Sequence, residues 1–214
     1  MRYMARGRFI SLEGGEGCGK STQTRLLAEA LKASGREILL VREPGGTQLG
    51  EKARAILKDN IGEAPCDRAE LFLFLAARAQ LVENVIKPAL KGGLWVLSDR
   101  FYDSTIAYQG YGRGMPLEYV KAANDFACDG IMPDITILLD LDVETASRRM
   151  RSREEKTNTT ADRIERAGME FHSRLRQGFL EIARREPDRV VVVNADRSPE
   201  EVFANIFEYC KKMF

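Results

Sequence analysis

The chain is 214 residues long, enough for one large domain or two small ones. At 44% hydrophobic and 30% charged, its composition is that of a soluble globular protein with a core. Lys and Arg number 33 against 32 Asp and Glu, a balance that excludes bulk electrostatic binding to nucleic acid or to an anionic membrane. The opening MRYMARGRF lacks the apolar stretch of a signal peptide, and no apolar run approaches the roughly 18 residues of a membrane span.

In chain order, the first predicted element is the strand RFISLE (8–13), which runs into LEGGEGCGKST (12–22). A helix follows in STQTRLLAEALKASG, with Gly35 placed to cap its end. REILLVRE (36–43) is the second strand, and a long helix spans about residues 67–91. GLWVLSDR (93–100), DITILLDL (134–141) and RVVVVNA (189–195) are the remaining strands. Most of the strands are nearly continuous in apolar residues, as strands buried on both faces of a parallel sheet are. Strands alternating with helices predict an open α/β sheet with right-handed crossovers, in a single domain over 1–214. Between the fourth and fifth strands, RRMRSR (148–153) leads into EEKTNTTA (154–161), a polar stretch without a large apolar side chain. Such a stretch is either a spacer or a lid, here about 148–161. DRIE (162–165) reads as a helix start, Asp162 capping and Glu165 reaching back.

Gly14, four residues, Gly19, Lys20 and Ser21 fit the phosphate-binding pattern GxxxxGK[ST], after a strand and before a helix. In such a cradle Gly14, Gly15, Glu16, Gly17, Cys18 and Gly19 turn backbone N–H groups toward phosphate oxygens, with Ser21 and Thr22 in the helix's first turn. Lys20 can reach the β- and γ-phosphates, and the Ser21 hydroxyl can ligate Mg²⁺. Cys18 is either a thiol acidified by the helix start or an inert small residue. Glu16 is a carboxylate in the middle of an anion site, and Glu13 has no assigned role. At the carboxyl end of the third strand, Asp99 can hold Mg²⁺ through water and Arg100 can fork onto a phosphate, or the two form a structural pair capping the next helix. Phe74 and Arg78 are four apart, so they share a helix face that can stack and hydrogen-bond a base, or can be plain core. Residues 104–114, STIAYQGYGRG, either contact a sugar or base edge or form an ordinary loop. Four scattered cysteines without CxxC spacing give no zinc or redox motif, and the reading is a reduced, cytoplasmic protein.

The series EGGEGCGKST, REPGGTQLGE (42–51), LFLFLAARAQLVENVIKPAL, SDRFYDSTIAYQGYGRG and DRIE, taken with the arginine stretch, resembles thymidylate kinase of the bacterial kind over nearly the whole chain. The resemblance implies a nucleoside-monophosphate kinase fold with a five-stranded parallel sheet, a homodimer, and transfer of the terminal phosphoryl of ATP to dTMP. It further implies that Phe74 stacks on thymine, Arg78 bonds its carbonyl and Thr105 makes a polar contact to the base. Tyr108 crowds the 2′ carbon, Asp99 and Arg100 stand near metal and acceptor phosphate, and Glu16 faces the acceptor.

The single histidine, His172, fits this chemistry. A phosphate monoester with a second pKa of about 6 is already ionised at neutral pH, so no general base is required. What is required is alignment of two polyanions and neutralisation of their charge. Arg149 and Arg153, spaced i, i+4, are expected to point together at the γ-phosphate as the lid closes, or else to lie on a solvated face paired with Glu154 and Glu155. The competing readings are another pyrimidine nucleotide or deoxynucleoside kinase, a non-catalytic P-loop module, and a nucleic-acid-dependent ATPase.

Overall fold

The computed structural model describes residues 7–59, 63–157 and 162–214. Residues 1–6 of the opening segment and 158–161 of the expected lid loop lie outside the described residues.

Five parallel strands form one sheet in the order β2-β3-β1-β4-β5: β1 (Phe9–Glu13), β2 (Ile38–Arg42), β3 (Trp95–Asp99), β4 (Ile135–Asp140) and β5 (Val190–Asn194). The three central strands are buried on both faces because helices cover both. β2 and β5 lie at the sheet's edges, so Leu40 and Val192 are exposed there, and the expectation of two-sided burial fails for them. One face carries α1 (Lys20–Ala33) and α9 (Pro199–Lys211), packed on Ile10, Leu12, Leu97 and Ile137. The other carries α3 (Asp67–Leu81), α6 (Leu117–Cys128) and α8 (Met169–Arg185), packed around Phe9, Val96 and Leu138. The remaining helices are α2 (Gln48–Lys58), α4 (Lys87–Lys91), α5 (Tyr102–Thr105) and α7 (Val143–Thr157).

The predicted Gly35 stop is a Schellman turn. Gly35 has φ 78°, its N–H reaches the Lys32 carbonyl at 2.9 Å, and the Arg36 N–H reaches Leu31 at 3.1 Å. The helix expected over 67–91 is α3 and α4 joined by a π-helical stretch, Val82–Ile86. Pro88 has no N–H, and its ring crowds the carbonyl four residues earlier; the wider turn just before it relieves both. A second π-helical stretch, π2 (Ile106–Gly112), carries Tyr108 directly after α5.

Across the sheet centre, Ser98, Ser11 and Thr136 pair in register on β3, β1 and β4, and all are fully buried. This polar row lies beneath α5, where Thr136 donates to Asp103 at 3.0 Å and Ser98 donates to the Arg100 carbonyl at 2.5 Å.

Of EEKTNTTA, residues 154–157 continue α7 rather than a loop. DRIE does not begin a helix. The Asp162 carboxylate accepts from the N–H groups of Ile164 and Glu165, at 3.0 and 2.9 Å, and Glu165 accepts from the Asp162 N–H at 2.9 Å. These bonds close one isolated turn, and α8 starts at Met169 with Gly168 as its cap.

Candidate active site

The carboxyl ends of β1 and β3, the start of α1 and the helices after β2 and β3 border one cavity of about 490 Å³. Its wall carries Glu16, Lys20, Ser21, Asp99 and Arg100 together with Phe74, Arg78, Thr105 and Tyr108, and on the lid side Arg149 and Arg153. Thus the residues singled out for the phosphate cradle, the acceptor and the lid come together around a single space. Gly14, Gly15 and Cys18 border a smaller neighbouring cavity of about 240 Å³.

The cradle has no room for larger side chains at Gly14 and Gly17. Gly17 has φ 71°, and a Cβ there would meet the Ala146 carbonyl at 2.7 Å. A Cβ on Gly14 would meet the Leu139 carbonyl at 2.6 Å and the Cys18 sulfur at 2.9 Å. Cys18 is buried under the loop, as an inert small residue would be. Helix α1 starts at Lys20, so the unpaired N–H groups of its first turn open into the cavity with Ser21 and Thr22. The Lys20 ammonium donates to the Gly14 and Gly15 carbonyls at 3.1 and 2.7 Å.

Asp99 and Arg100 do not pair with each other. Asp99 accepts from the Ser21 hydroxyl at 3.0 Å, and Phe101, at the start of α5, makes no side-chain cap. Arg100 reaches across to Glu16 Oε1 at 2.6 Å and to the Gly14 carbonyl at 2.9 Å. Its guanidinium lies 4.9 Å from the Tyr108 ring centre. The Tyr108 hydroxyl donates to the same Oε1 at 2.9 Å. Burial pushes the Glu16 carboxyl up, but Arg100, Lys20 and the Tyr108 hydroxyl outweigh it and bring it down to about 2. Glu16 is therefore ionised and already paired, which removes the conflict of a carboxylate beside a polyanion. Burial, with Glu16 alongside, pushes the Tyr108 phenol well above its ordinary value.

Arg78 is 1% exposed and spends all of its donors inside the protein. It forks onto Glu43 and donates to Thr105 at 2.6 Å, to the Phe101 carbonyl at 2.8 Å and to Asn124. A base carbonyl would have to share a proton with one of these partners. Phe74, half-buried on the same face of α3, borders the cavity.

The two lid arginines line one wall but are held in different directions, contrary to the expectation that they point together. Arg149 donates to the Ala195 carbonyl at 2.9 Å and pairs with Asp196 at 3.3 Å. Arg153 pairs with Glu165, 12 residues on, at 2.7 Å. His172 Nε2 lies 3.4 Å from the Glu165 carbonyl, on the side of the smaller cavity.

Sequence reading missed several residues. Glu43, Arg54, Lys58 and Gln109 line the cavity. Lys58 pairs with Asp162 at 2.6 Å, tying α2 to the turn after the lid. Glu70, 1% exposed, receives Gln109, Arg113 and Arg163 at 2.8–3.1 Å and ties α3 to π2 and to the same turn. Glu13, assigned no role, is fully buried behind Arg100. Glu43 and Gln109 lie inside stretches quoted above, and Glu70 carried a signal of its own: an acidic residue one helical turn before Phe74, on the face that Phe74 shares with Arg78.

The thymidylate kinase family model matches residues 12–206. The thymidylate kinase of Trichlorobacter lovleyi is 46% identical over 199 residues, covering 92% of this chain and 94% of that one. That of Halothermothrix orenii is 47% identical over 208 residues, covering 96% and 97%. The crystal structure of thymidylate kinase from Ehrlichia chaffeensis superposes with a TM-score of 0.77 at 34% identity, covering 96% of this chain and 99% of that one. With the GxxxxGK[ST] loop and the cavity-lining residues Phe74, Arg78, Thr105 and Tyr108 all within the matched region, the chain belongs to the thymidylate kinase family.

Proposed function

We propose that this protein transfers the terminal phosphoryl group of ATP to dTMP, giving dTDP and ADP, and so serves dTTP synthesis. The observation that carries this reading is the single cavity shared by the P-loop and by Phe74, Arg78, Thr105 and Tyr108. A donor cradle and a base-sized acceptor wall facing one space suit direct transfer between two nucleotides.

The geometry supports a role for each residue. Lys20 exchanges its loop carbonyls for β- and γ-phosphate oxygens. Arg100, fixed on Glu16, presents its outer edge to the acceptor phosphate, and Arg54 and Lys58 add positive charge from α2. Phe74 offers a stacking face, while Tyr108, immobilised by Glu16, limits the space at the sugar. Arg149 and Arg153 approach the transferring group from the lid side. Ser21 and Asp99 are hard oxygen donors 3.0 Å apart and are the residues that would hold a magnesium ion there. Magnesium there would neutralise charge on the β- and γ-phosphates.

α3 and α6 pack together, and each turns large apolar side chains outward: Phe72 on α3, Tyr119 and Phe126 on α6. This face supports a homodimer. The described cysteines are free thiols, which supports a reducing, cytoplasmic compartment. No helix among the described residues is long and apolar enough to cross a membrane.

ADP release measured with dTMP, dUMP, UMP and thymidine as acceptors tests the reading. dTMP is expected to be the best substrate by kcat/KM. A preference for UMP or thymidine, or ATP hydrolysis indifferent to all four, would overturn it.

A further inference from the structure

Arg100 is one of two described non-glycine residues with positive φ, at 73°. That conformation costs an L-residue roughly 1–2 kcal/mol. It also turns the side chain out of the strand direction of β3 and back over the P-loop. Three bonds clamp the backbone around this bend. The Arg100 N–H donates to the Leu12 carbonyl at 3.0 Å. The Arg100 carbonyl accepts from the Ser98 hydroxyl at 2.5 Å. The next N–H, that of Phe101, donates to Glu13 Oε1 at 2.7 Å.

Glu13 also reaches the guanidinium. The Ser104 hydroxyl donates to Glu13 Oε2 at 2.5 Å and accepts from Arg100 Nη1 at 3.2 Å. Ser104 has a single proton to give, and it passes it to Glu13, whose other oxygen takes the Phe101 N–H, so the chain Arg100–Ser104–Glu13 is completed when both Glu13 oxygens accept, as an ionised carboxylate does. We infer that Glu13 is a positioning residue for the phosphoryl transfer, holding Arg100 in its left-handed bend and aiming its guanidinium through the Ser104 hydroxyl. The inference rests on the functional reading above, since Arg100 is the group it serves.

The energetics support a functional rather than a stabilising role. Glu13 sits at the end of β1 with no exposure to water. Burial, then the neighbouring Asp103, push its carboxyl up to about 7, against the hydrogen bonds from Ser104 and Phe101 and the charge of Arg100. Facing it are Asp103 on α5, which is forked by Arg189, and the guanidinium groups of Arg100 and Arg78. A glutamine of the same shape would avoid the cost of a buried charge, yet its single amide oxygen would leave an N–H against either the Ser104 hydroxyl or the Phe101 N–H, both of which require an acceptor.

The test compares wild type, Glu13→Gln, Arg100→Ala and the double variant in kinetics and unfolding. Glu13→Gln is expected to raise the KM for dTMP or lower kcat by about tenfold or more, to leave the KM for ATP within about twofold, and to unfold no more easily than wild type at pH 8. The double variant should be no worse than Arg100→Ala alone, because Glu13 acts through Arg100. In ¹⁵N-labelled protein the Phe101 amide should shift as pH passes about 7, and Glu13→Gln should abolish that shift. Ser104→Ala should lower activity in the same direction by less. Wild type inert toward dTMP would instead defeat the functional reading itself. An active wild type with Glu13→Gln within about twofold of it in every constant, or with losses that add to those of Arg100→Ala, would overturn the positioning role.

Discussion

Glu43 and Arg78 form an ion pair sealed from water, with side-chain exposures of 4% and 1%. Every further donor of Arg78 is satisfied, so the pair holds β2, α3 and the segment after β3 in one arrangement. Removing one partner strands the other charge, and Glu43→Ala is expected to cost about 3–5 kcal/mol. Urea unfolding with an unchanged m-value measures this, and a loss under about 1 kcal/mol would contradict it. Glu13 gives a pH-dependent case. Its carboxyl rises from the ordinary 4.5 to about 7 in the folded protein, so the native state favours the protonated form. Its contribution to stability is fully present below about pH 4.5 and is lost as pH rises through about 7, on the order of 3 kcal/mol in all. The stability of wild type relative to Glu13→Gln should therefore fall between pH 5 and pH 8. A flat difference over that window would mean that Glu13 does not titrate there.

Among the elements, α8 decides where the acceptor wall stands. It packs on π2 through glycines at close approach: a Cβ on Gly178 would meet Tyr111 at 2.6 Å, and one on Gly112 would meet Phe171 at 2.7 Å. Phe171 and Phe179 of α8 in turn flank the Tyr108 ring, with centres 6.2 Å from it. Gly178→Ala is expected to cost about 1–3 kcal/mol by overpacking and to raise the KM for dTMP by displacing Tyr108, with the KM for ATP little changed. Thermal unfolding and steady-state kinetics check both halves. The lid side is an element-level question as well. Arg153 and Glu165 pair between α7 and the turn after it, while Lys58 and Glu70 anchor that turn to the acceptor side. Arg153→Ala should lower kcat by orders of magnitude if it meets the transferring phosphoryl group. A loss below about threefold for Arg149→Ala, Arg151→Ala and Arg153→Ala alike would remove the lid arginines from the chemistry.

In the whole molecule, two apolar cores lie on opposite faces of the sheet, and the site lies where the strands' carboxyl ends leave both. This is where an open α/β sheet places its ligands, because loops and helix starts converge there. Phe126, 89% exposed, and Tyr119, 73% exposed, are seven apart on α6 and share its outer face. Phe126→Asp combined with Tyr119→Asp should shift sedimentation from a dimer to a monomer of 24.1 kDa. A wild type that sediments as a monomer at micromolar concentration would defeat the homodimer.

The sequence by itself determined the architecture and the donor half of the site. Strand and helix periods, Gly35 and the spacing from Gly14 to Ser21 are local, and local sterics and hydrogen bonding settle them without distant partners. Phe74, Arg78, Thr105 and Tyr108 were singled out through the ordered series of motifs they sit in, and the fold brings them to the wall of one cavity. Only the tertiary structure decided which charges meet. That Arg100 answers the Glu16 carboxylate, that Arg149 and Arg153 diverge, and that DRIE closes a turn rather than a helix all depend on contacts between residues far apart in sequence. Glu13 is the clearest instance. As one more acidic residue at a strand end it carries no pattern, and its meaning arises because β1, β3 and α5 bury it together, where a carboxylate without water must find its hydrogen-bond donors in the protein.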